Sequence, residues 1–364
     1  MKALYEFPKE QQQRFIEGHI NQGKISGRTE GAFGEVFFFD HGTVAKCPKI
    51  NRYGNPDDAR EALEKSIYEI EQTYKCARHP LVHRFAPPKL VLGWPFYCSR
   101  MRDGTLNYLI KEPNRWNCLQ KIAALVQISH ALNYCRSVGV IAHQDLKPDN
   151  ILIQNLPTDE IDPKSVAGFT TVMHISDFGV ADAFRHIGRN TGSRPYMAPE
   201  QYEPGLLVDG SKIDVFALAV IAFECFTDGF HPIGEVTTDV WPDPIVGKPS
   251  RWKQERVWKK WATGQKDLTR LSKTSEIPSR LVDAISRCLN PDPTARPAME
   301  DFENEFWKTL IAADQNWAKG VRMQIDDLDN YAPAGEEFEW PAMDECIHDL
   351  RIFYAHTRSP KRPS

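Results

Sequence analysis

The run SKIDVFALAVIAFECF, residues 211–226, constrains this chain more than any other segment. A helix that is apolar on every side cannot lie on a surface and must be covered around its whole circumference. The run is too short to span a bilayer, and Glu224 interrupts it. It therefore predicts a helix through the middle of a helical domain, and 364 residues are enough to build one. Hydrophobic residues at 41% and charged residues at 26% match an ordinary globular chain, which excludes disorder as the starting assumption. A net charge of −4 argues against non-specific nucleic-acid binding, which needs a basic excess to neutralise phosphates. The eight cysteines, at 47, 76, 98, 118, 135, 225, 288 and 346, form no CxxC pair and read as reduced thiols of an intracellular protein. The opening MKALYEFPKEQQQRFIEG is charged throughout and lacks a signal-peptide core, so no membrane partner is expected and the expected compartment is the cytoplasm or the nucleus.

The first hundred residues read as a β-rich unit holding one helix. EVFFFD and TVAKCPK flank a His-Gly turn and predict a hairpin over 36–50. Leu63, Ile67, Ile70 and Tyr74 fall on one helical stripe within 57–77. PKLVLG and PFYCSRM follow as two strands, with a tight Gly-Trp break between them. Beyond Asp103-Gly104 the pattern turns helical, and amphipathic segments recur at 300–328 and 342–355.

Chemistry concentrates in His143-Gln144-Asp145-Leu146-Lys147-Pro148-Asp149-Asn150. Phosphoryl transfer needs a carboxylate to orient the attacking hydroxyl, a cation near the phosphate and oxygen ligands for a hard metal. Asp145, Lys147 and Asn150 supply one of each, and Asp177-Phe178-Gly179 adds a second metal carboxylate after the strand-like VMHIS.

This ordered pair of motifs resembles the catalytic and magnesium loops of eukaryotic-type serine/threonine protein kinases, and the resemblance runs over residues 25–310. It implies an α+β, two-lobed fold, with a small β-rich lobe at about 25–101 and a mostly helical lobe at about 102–310. An N-terminal extension of 1–24 and a helical C-terminal extension of 311–364 with a short disordered end would flank it. It implies ATP and Mg2+ (or Mn2+) as cofactors and a protein substrate with a serine or threonine acceptor. Carried over by position, Asp145 is the base, Lys147 the γ-phosphate contact, and Asn150 and Asp177 the metal ligands.

The phosphate-loop pattern, G-x-G-x-x-G-x-V in the family, has Thr29 at its first glycine, followed by Gly31, Gly34 and Val36. Lys46 in TVAKCPK aligns with the lysine that holds the α- and β-phosphates. Its glutamate partner lies among Glu61, Glu64, Glu69 and Glu71. Ile67 and Tyr68, three and four positions later, select Glu64, whereas spacing to His79-Pro80 favours Glu69 or Glu71. Cys98 would be the gatekeeper, Ser99 and Met101 would offer backbone groups to adenine, and Val36, Val44 and Leu152 would enclose the ring.

GSRPYMAPE at 192–200 resembles the end of an activation segment, with Glu200 expected to pair with Arg296 of NPDPTARP and Asp214 to brace the catalytic loop. Ser193 with Lys147 indicates serine/threonine rather than tyrosine specificity. Gln144 stands where the family usually has arginine, which puts phosphate control through Thr191 in doubt. The polar insertion NLPTDEIDPKS lies between Asn150 and Asp177. Three rival readings are a pseudokinase scaffold, a small-molecule kinase, and a nucleic-acid module built on RWKQERVWKKWATGQK, whose aromatics and lysines also suit a clothed helix.

Overall fold

The computed structural model describes residues 3–20, 23–30, 34–50, 56–112, 115–156, 169–185, 191–202, 209–242, 255–275 and 277–331, with the isolated positions 345 and 348. Gly31, the insertion beyond Leu156 and the amphipathic segment at 342–355, apart from those two positions, lie outside the described residues. Two compact units form, the first from residues up to 78 and 84–102, the second from 79–83 and 103–330.

The first unit is an antiparallel sheet of five strands in the order β1-β2-β3-β5-β4: β1 Ile25–Glu30, β2 Gly34–Phe39, β3 Thr43–Pro48, β4 Lys89–Val91 and β5 Trp94–Arg100. Helices α1 (Lys9–His19) and α2 (Pro56–Cys76) accompany it. Alternation in the strands turns Phe37, Phe39, Ala45, Cys47 and Phe96 into a core shared with Leu63, Ile67 and Ile70 of α2. Leu4, Ile16 and Ile20 join the same core, so the segment before Ile25 is part of this unit's packing. The turn between β4 and β5 falls on Leu92-Gly93, both at positive φ, and not on the expected Gly-Trp step. Trp94 instead begins β5, buried and donating its indole N–H to Pro48 O at 2.9 Å.

The second unit is mostly helical, with α3 (Leu106–Lys111), α4 (Cys118–Ser137), α5 (Ile213–Phe226), α6 (Thr237–Val240), α7 (Glu255–Ala262), α8 (Thr269–Lys273), α9 (Ser279–Cys288), α10 (Met299–Ala313) and α11 (Gln315–Tyr331). A small antiparallel sheet of β6 (Gly104–Thr105), β7 (Ile151–Asn155) and β8 (Thr171–Ile175) accompanies them. Every residue of α5 is buried, as its sequence demanded. α4 starts at a reciprocal cap in which Asn117 accepts the Gln120 N–H and Gln120 accepts the Asn117 N–H, both at 3.0 Å.

Trp258 and Trp261 of the basic aromatic run are buried on the inner face of α7, packed against His231. Those two rings are core and not a platform for stacked bases. The expected Glu200–Arg296 pair forms as a fork, Nη1 to Oε1 at 2.6 Å and Nη2 to Oε2 at 2.7 Å. Arg296 also donates to the carbonyls of Asn290, Pro291 and Lys212, so its buried guanidinium is fully engaged. Removing one member of such a pair leaves an uncompensated buried charge. Arg296→Ala should lower unfolding free energy by about 3–5 kcal/mol, read by urea denaturation. Arg296→Lys should recover little of it, because an ammonium cannot make the two-pronged contact.

Candidate active site

The segment 140–147, which carries Asp145 and Lys147, has no regular secondary structure, so its backbone N–H groups need other acceptors. Two carboxylates supply them. Asp182 takes the N–H of Ala142 at 2.8 Å and of Ile141 at 3.2 Å. Asp214, at the start of α5, takes the N–H of His143 at 2.6 Å and of Gln144 at 3.0 Å. Burial raises the Asp214 pKa, a shift that His143 and the two N–H donors oppose. Gln144, Asp177 and Asp182 all adopt left-handed backbone conformations, with φ of 70°, 68° and 53°. Such geometry at non-glycine residues persists only where surrounding contacts impose it.

Within this frame Lys147 Nζ bridges Asp145 Oδ2 at 2.7 Å and Ser193 Oγ at 3.0 Å. The other oxygen, Asp145 Oδ1, is buried with no hydrogen-bond partner. Asn150 turns its amide N–H to Asp145 O at 2.9 Å, leaving an amide oxygen as its remaining polar atom. Ser176 donates N–H and O–H to Asn150 O at 2.9 and 3.0 Å, which sets Asp177 close to Asn150 along the chain path. His143 Nε2 meets Ser176 O at 2.9 Å, and its ring stands edge-on to the buried Phe178 at 4.8 Å. Asp145, Lys147, Asn150 and the Asp177 loop are thus tied together by direct contacts. An all-oxygen set from Asn150 and Asp177 fits a hard divalent cation such as Mg2+, and an orphaned carboxylate oxygen fits an incoming hydroxyl.

The first unit holds the remaining predicted residues except Leu152, which lies in the second. Lys46 on β3 forms an ion pair with Glu69 on α2, both side chains largely buried. The choice of Glu64 is therefore corrected. Glu64 is exposed and pairs with Arg60 at 2.9 Å on the outer face of α2. Glu69 lies on the stripe of Ser66, Ile70 and Thr73, which is buried against the sheet. Flanking apolar residues were a poor guide, because a partner for a buried lysine sits among small polar positions; the spacing to His79-Pro80 carried the better signal.

Gly34 has no room for a side chain, since a Cβ there would lie 2.7 Å from Cys47 O. Val36 sits opposite Lys46 and Val44 opposite Ser99 in the strand register, and Leu152 lies on β7 opposite Thr105 and His174. The Met101 N–H is donated to Gly42 O at 2.8 Å, so this conformation does not offer it to a ligand. That narrows the expectation for Met101.

The segment 191–202 is anchored around Gln144 and Lys147. Gln144 Nε2 donates to Thr191 Oγ1 at 3.1 Å, and Gln144 Oε1 accepts the Phe184 N–H at 3.1 Å. Gly192, at φ 140°, passes so close to Gln144 O that a Cβ would lie 2.7 Å from it. Gln201, buried, accepts the Ala198 N–H and donates to Thr191 O. Trp261 donates to Met197 O at 3.2 Å, and His231 Nε2 donates to Pro195 O at 2.7 Å. Sequence reasoning missed Asp182, Gln201 and His231, which match no motif and act only through the fold.

The family model for the protein kinase domain matches residues 30–308. The chain belongs to the protein kinase family. Among curated relatives, a probable serine/threonine-protein kinase of Dictyostelium discoideum is 26% identical over 78% of this chain and 15% of its own length. Mitogen-activated protein kinase kinase kinase 7 of Homo sapiens is 31% identical over 49% of this chain and 24% of its own. A probable serine/threonine-protein kinase of Arabidopsis thaliana is 26% identical over 75% of this chain and 23% of its own. The chain thus corresponds to less than a third of each of these relatives.

His231 gives this site a pH dependence. Burial lowers its pKa to about 4, partly offset by the bond to Pro195 O. A histidine depressed in the folded state contributes stability above its unfolded pKa of about 6.5 and loses it as pH falls through about 4. Urea midpoints of the wild type should fall across that window, and His231→Gln should remove about one proton's worth of slope.

Proposed function

We propose that this kinase domain is catalytically active, uses ATP with magnesium and phosphorylates serine or threonine hydroxyls on proteins. The observation that carries the reading is Lys147 Nζ bridging Asp145 and Ser193 while Asp145 Oδ1 stays buried without a partner. Asp145 would orient the acceptor hydroxyl and receive its proton on Oδ1, while Lys147 holds the carboxylate's other oxygen and offsets charge developing on the transferred group. Magnesium, when bound, would neutralise the phosphate oxygens, with Asn150 and Asp177 as its protein ligands. Glu69 would keep the Lys46 ammonium extended as a phosphate clamp. Ser193 favours the serine/threonine assignment because its hydroxyl is engaged by the catalytic lysine.

The pseudokinase alternative makes the opposite prediction about turnover. Asp145→Asn should lower kcat on a generic basic protein by roughly 10²- to 10⁴-fold while leaving the melting temperature near wild type. Activity should vanish in EDTA and return with Mg2+ or Mn2+. Wild-type turnover in either condition would remove the assignment.

The neutral contact between Gln144 and Thr191 also supports activity without phosphate on the segment. Thr191→Ala should change the initial rate by only about threefold, the effect of one modest hydrogen bond. Rates before and after phosphatase treatment, with mass spectrometry to verify removal, provide the check.

A further inference from the structure

Helix α11 lies beyond the residues that match the family, yet it is built into the second unit. Ala318, Val321 and Ile325 are buried, and Arg322 stacks on Trp307 at 3.9 Å. Two polar contacts reach further, and both lead to β8. In the first, Gln324 Oε1 accepts from the fully buried Gln127, whose amide also donates to Thr171 O and accepts the Met173 N–H at 2.8 Å. In the second, Asp329 Oδ1 meets His79 Nε2 at 2.7 Å and His130 Nε2 at 3.1 Å. His79 Nδ1 accepts the Leu81 N–H at 3.1 Å, and Leu81 O accepts the Ile175 N–H at 2.8 Å. His83 N–H returns to Ile175 O at 2.8 Å, and His174 meets Pro80 O at 2.7 Å. Ile175 ends β8, two residues before Asp177.

The protons in this cluster can be placed by its contacts. Because His79 Nδ1 accepts a backbone N–H, its lone pair is there, and the proton of the neutral ring sits on Nε2 facing Asp329. That arrangement leaves no lone pair on Nε2 for a metal, although His79, His130 and Asp329 bring three potential ligand atoms within 4.8 Å of one another. His130 faces a carboxylate with each nitrogen, Glu303 of α10 on Nδ1 at 3.3 Å and Asp329 on Nε2. Only the imidazolium can donate to both. The His79 ring lies 5.6 Å away, and Tyr134 on α4 is tilted against His79 with ring centroids 4.8 Å apart.

We propose that Asp329 and His79 are positioning residues for the Asp177 loop, joined in a proton-linked clasp through which α11 holds the end of β8. Its bearing on catalysis rests on the reading of Asp177 as a metal ligand given above. Burial lowers the His130 pKa, but the hydrogen bonds and charges of Glu303 and Asp329 outweigh this and raise it. Burial raises Glu303 and Asp329, but His130 with Asn133 and Trp307 lowers Glu303, and His79 with His130 lowers Asp329, by more. A raised histidine contributes below its unfolded pKa of about 6.5 and loses the contribution as pH rises through its folded value. The lowered carboxylates contribute above their unfolded pKa of about 4 and lose it as pH falls. The clasp is therefore strongest between these limits and loosens on the alkaline side.

The test uses the full chain with Asp329→Asn, which keeps the side chain's shape, and Asp329→Glu, which keeps its charge. Amide exchange at 173–177 should accelerate about fivefold or more in Asp329→Asn at about pH 6, and the difference should shrink as pH rises and His130 gives up its proton, leaving only the His79 contact to Asp329. The ratio of wild-type to Asp329→Asn kcat should follow the same pH course, and Asp329→Glu should restore both readouts at pH 6. Because exchange is read without turnover, an inactive wild type would overturn the catalytic reading while leaving the clasp measurable. Unchanged exchange at 173–177, or a kcat ratio that does not vary with pH, overturns the proposal. A melting temperature raised by Zn2+ in the wild type but not in Asp329→Asn would make the cluster a metal site and also overturn it.

Discussion

Four consecutive backbone N–H groups, from Ile141 to Gln144, are held by two side-chain carboxylates, and the placement of the candidate site in the second unit follows from that. Asp214 is the more constrained of the two. It rides on a helix with no exposed residue, so its carboxylate is buried wherever α5 packs, and burial without donors would be costly. The N–H groups of His143 and Gln144 are those donors. Asp182 repeats the arrangement one step earlier in the loop, and the Asp182 N–H is itself accepted by Ala142 O. A segment that belongs to neither helix nor strand thereby has its backbone donors satisfied.

The other contacts propagate from this fixed backbone. Asp145 follows directly, and its main-chain carbonyl anchors Asn150, whose own carbonyl anchors Ser176 before the Asp177 loop. Lys147 extends the network to Ser193. The segment carrying Ser193 is then held from its other side by His231 and Trp261, whose buried rings leave their N–H groups only backbone carbonyls to satisfy. Polar groups that burial forces to find partners do the positioning throughout.

The sequence was most informative where chemistry requires particular residue types in order. HxDxKxxN followed by DFG located Asp145, Lys147, Asn150 and Asp177, and the apolar run at 211–226 located the central helix. Periodicity located α2 but could not orient it, because Glu64 and Glu69 both lie near apolar residues in the chain. What separates them is which side faces the sheet, and small polar residues at Ser66 and Thr73 mark that side only once Tyr97 is known to meet Ser66. The amphipathic pattern reached into α11, but Asp182, His231, Gln324 and Asp329 carried no local signal. Their hydrogen bonds to Ala142, Pro195, Gln127 and His79 span between 36 and 250 residues of sequence, and such pairings follow only from the packed fold.

Gln144 shows how a neutral residue can do two opposed tasks at one position. Its amide oxygen accepts the Phe184 N–H, and its amide nitrogen donates to Thr191 Oγ1. These contacts lie on either side of residues 186–190, so one side chain ties together the two flanks of the segment. An arginine at this position would have five donors and no acceptor, and the buried Phe184 N–H would lose its partner. It would also place an uncompensated cation where the side chain is now buried. A cation there would need an anion such as a phosphate to balance it, whereas the amide is satisfied by the segment's own backbone and hydroxyl. The departure from the family pattern is thus matched to its surroundings on both of its polar atoms.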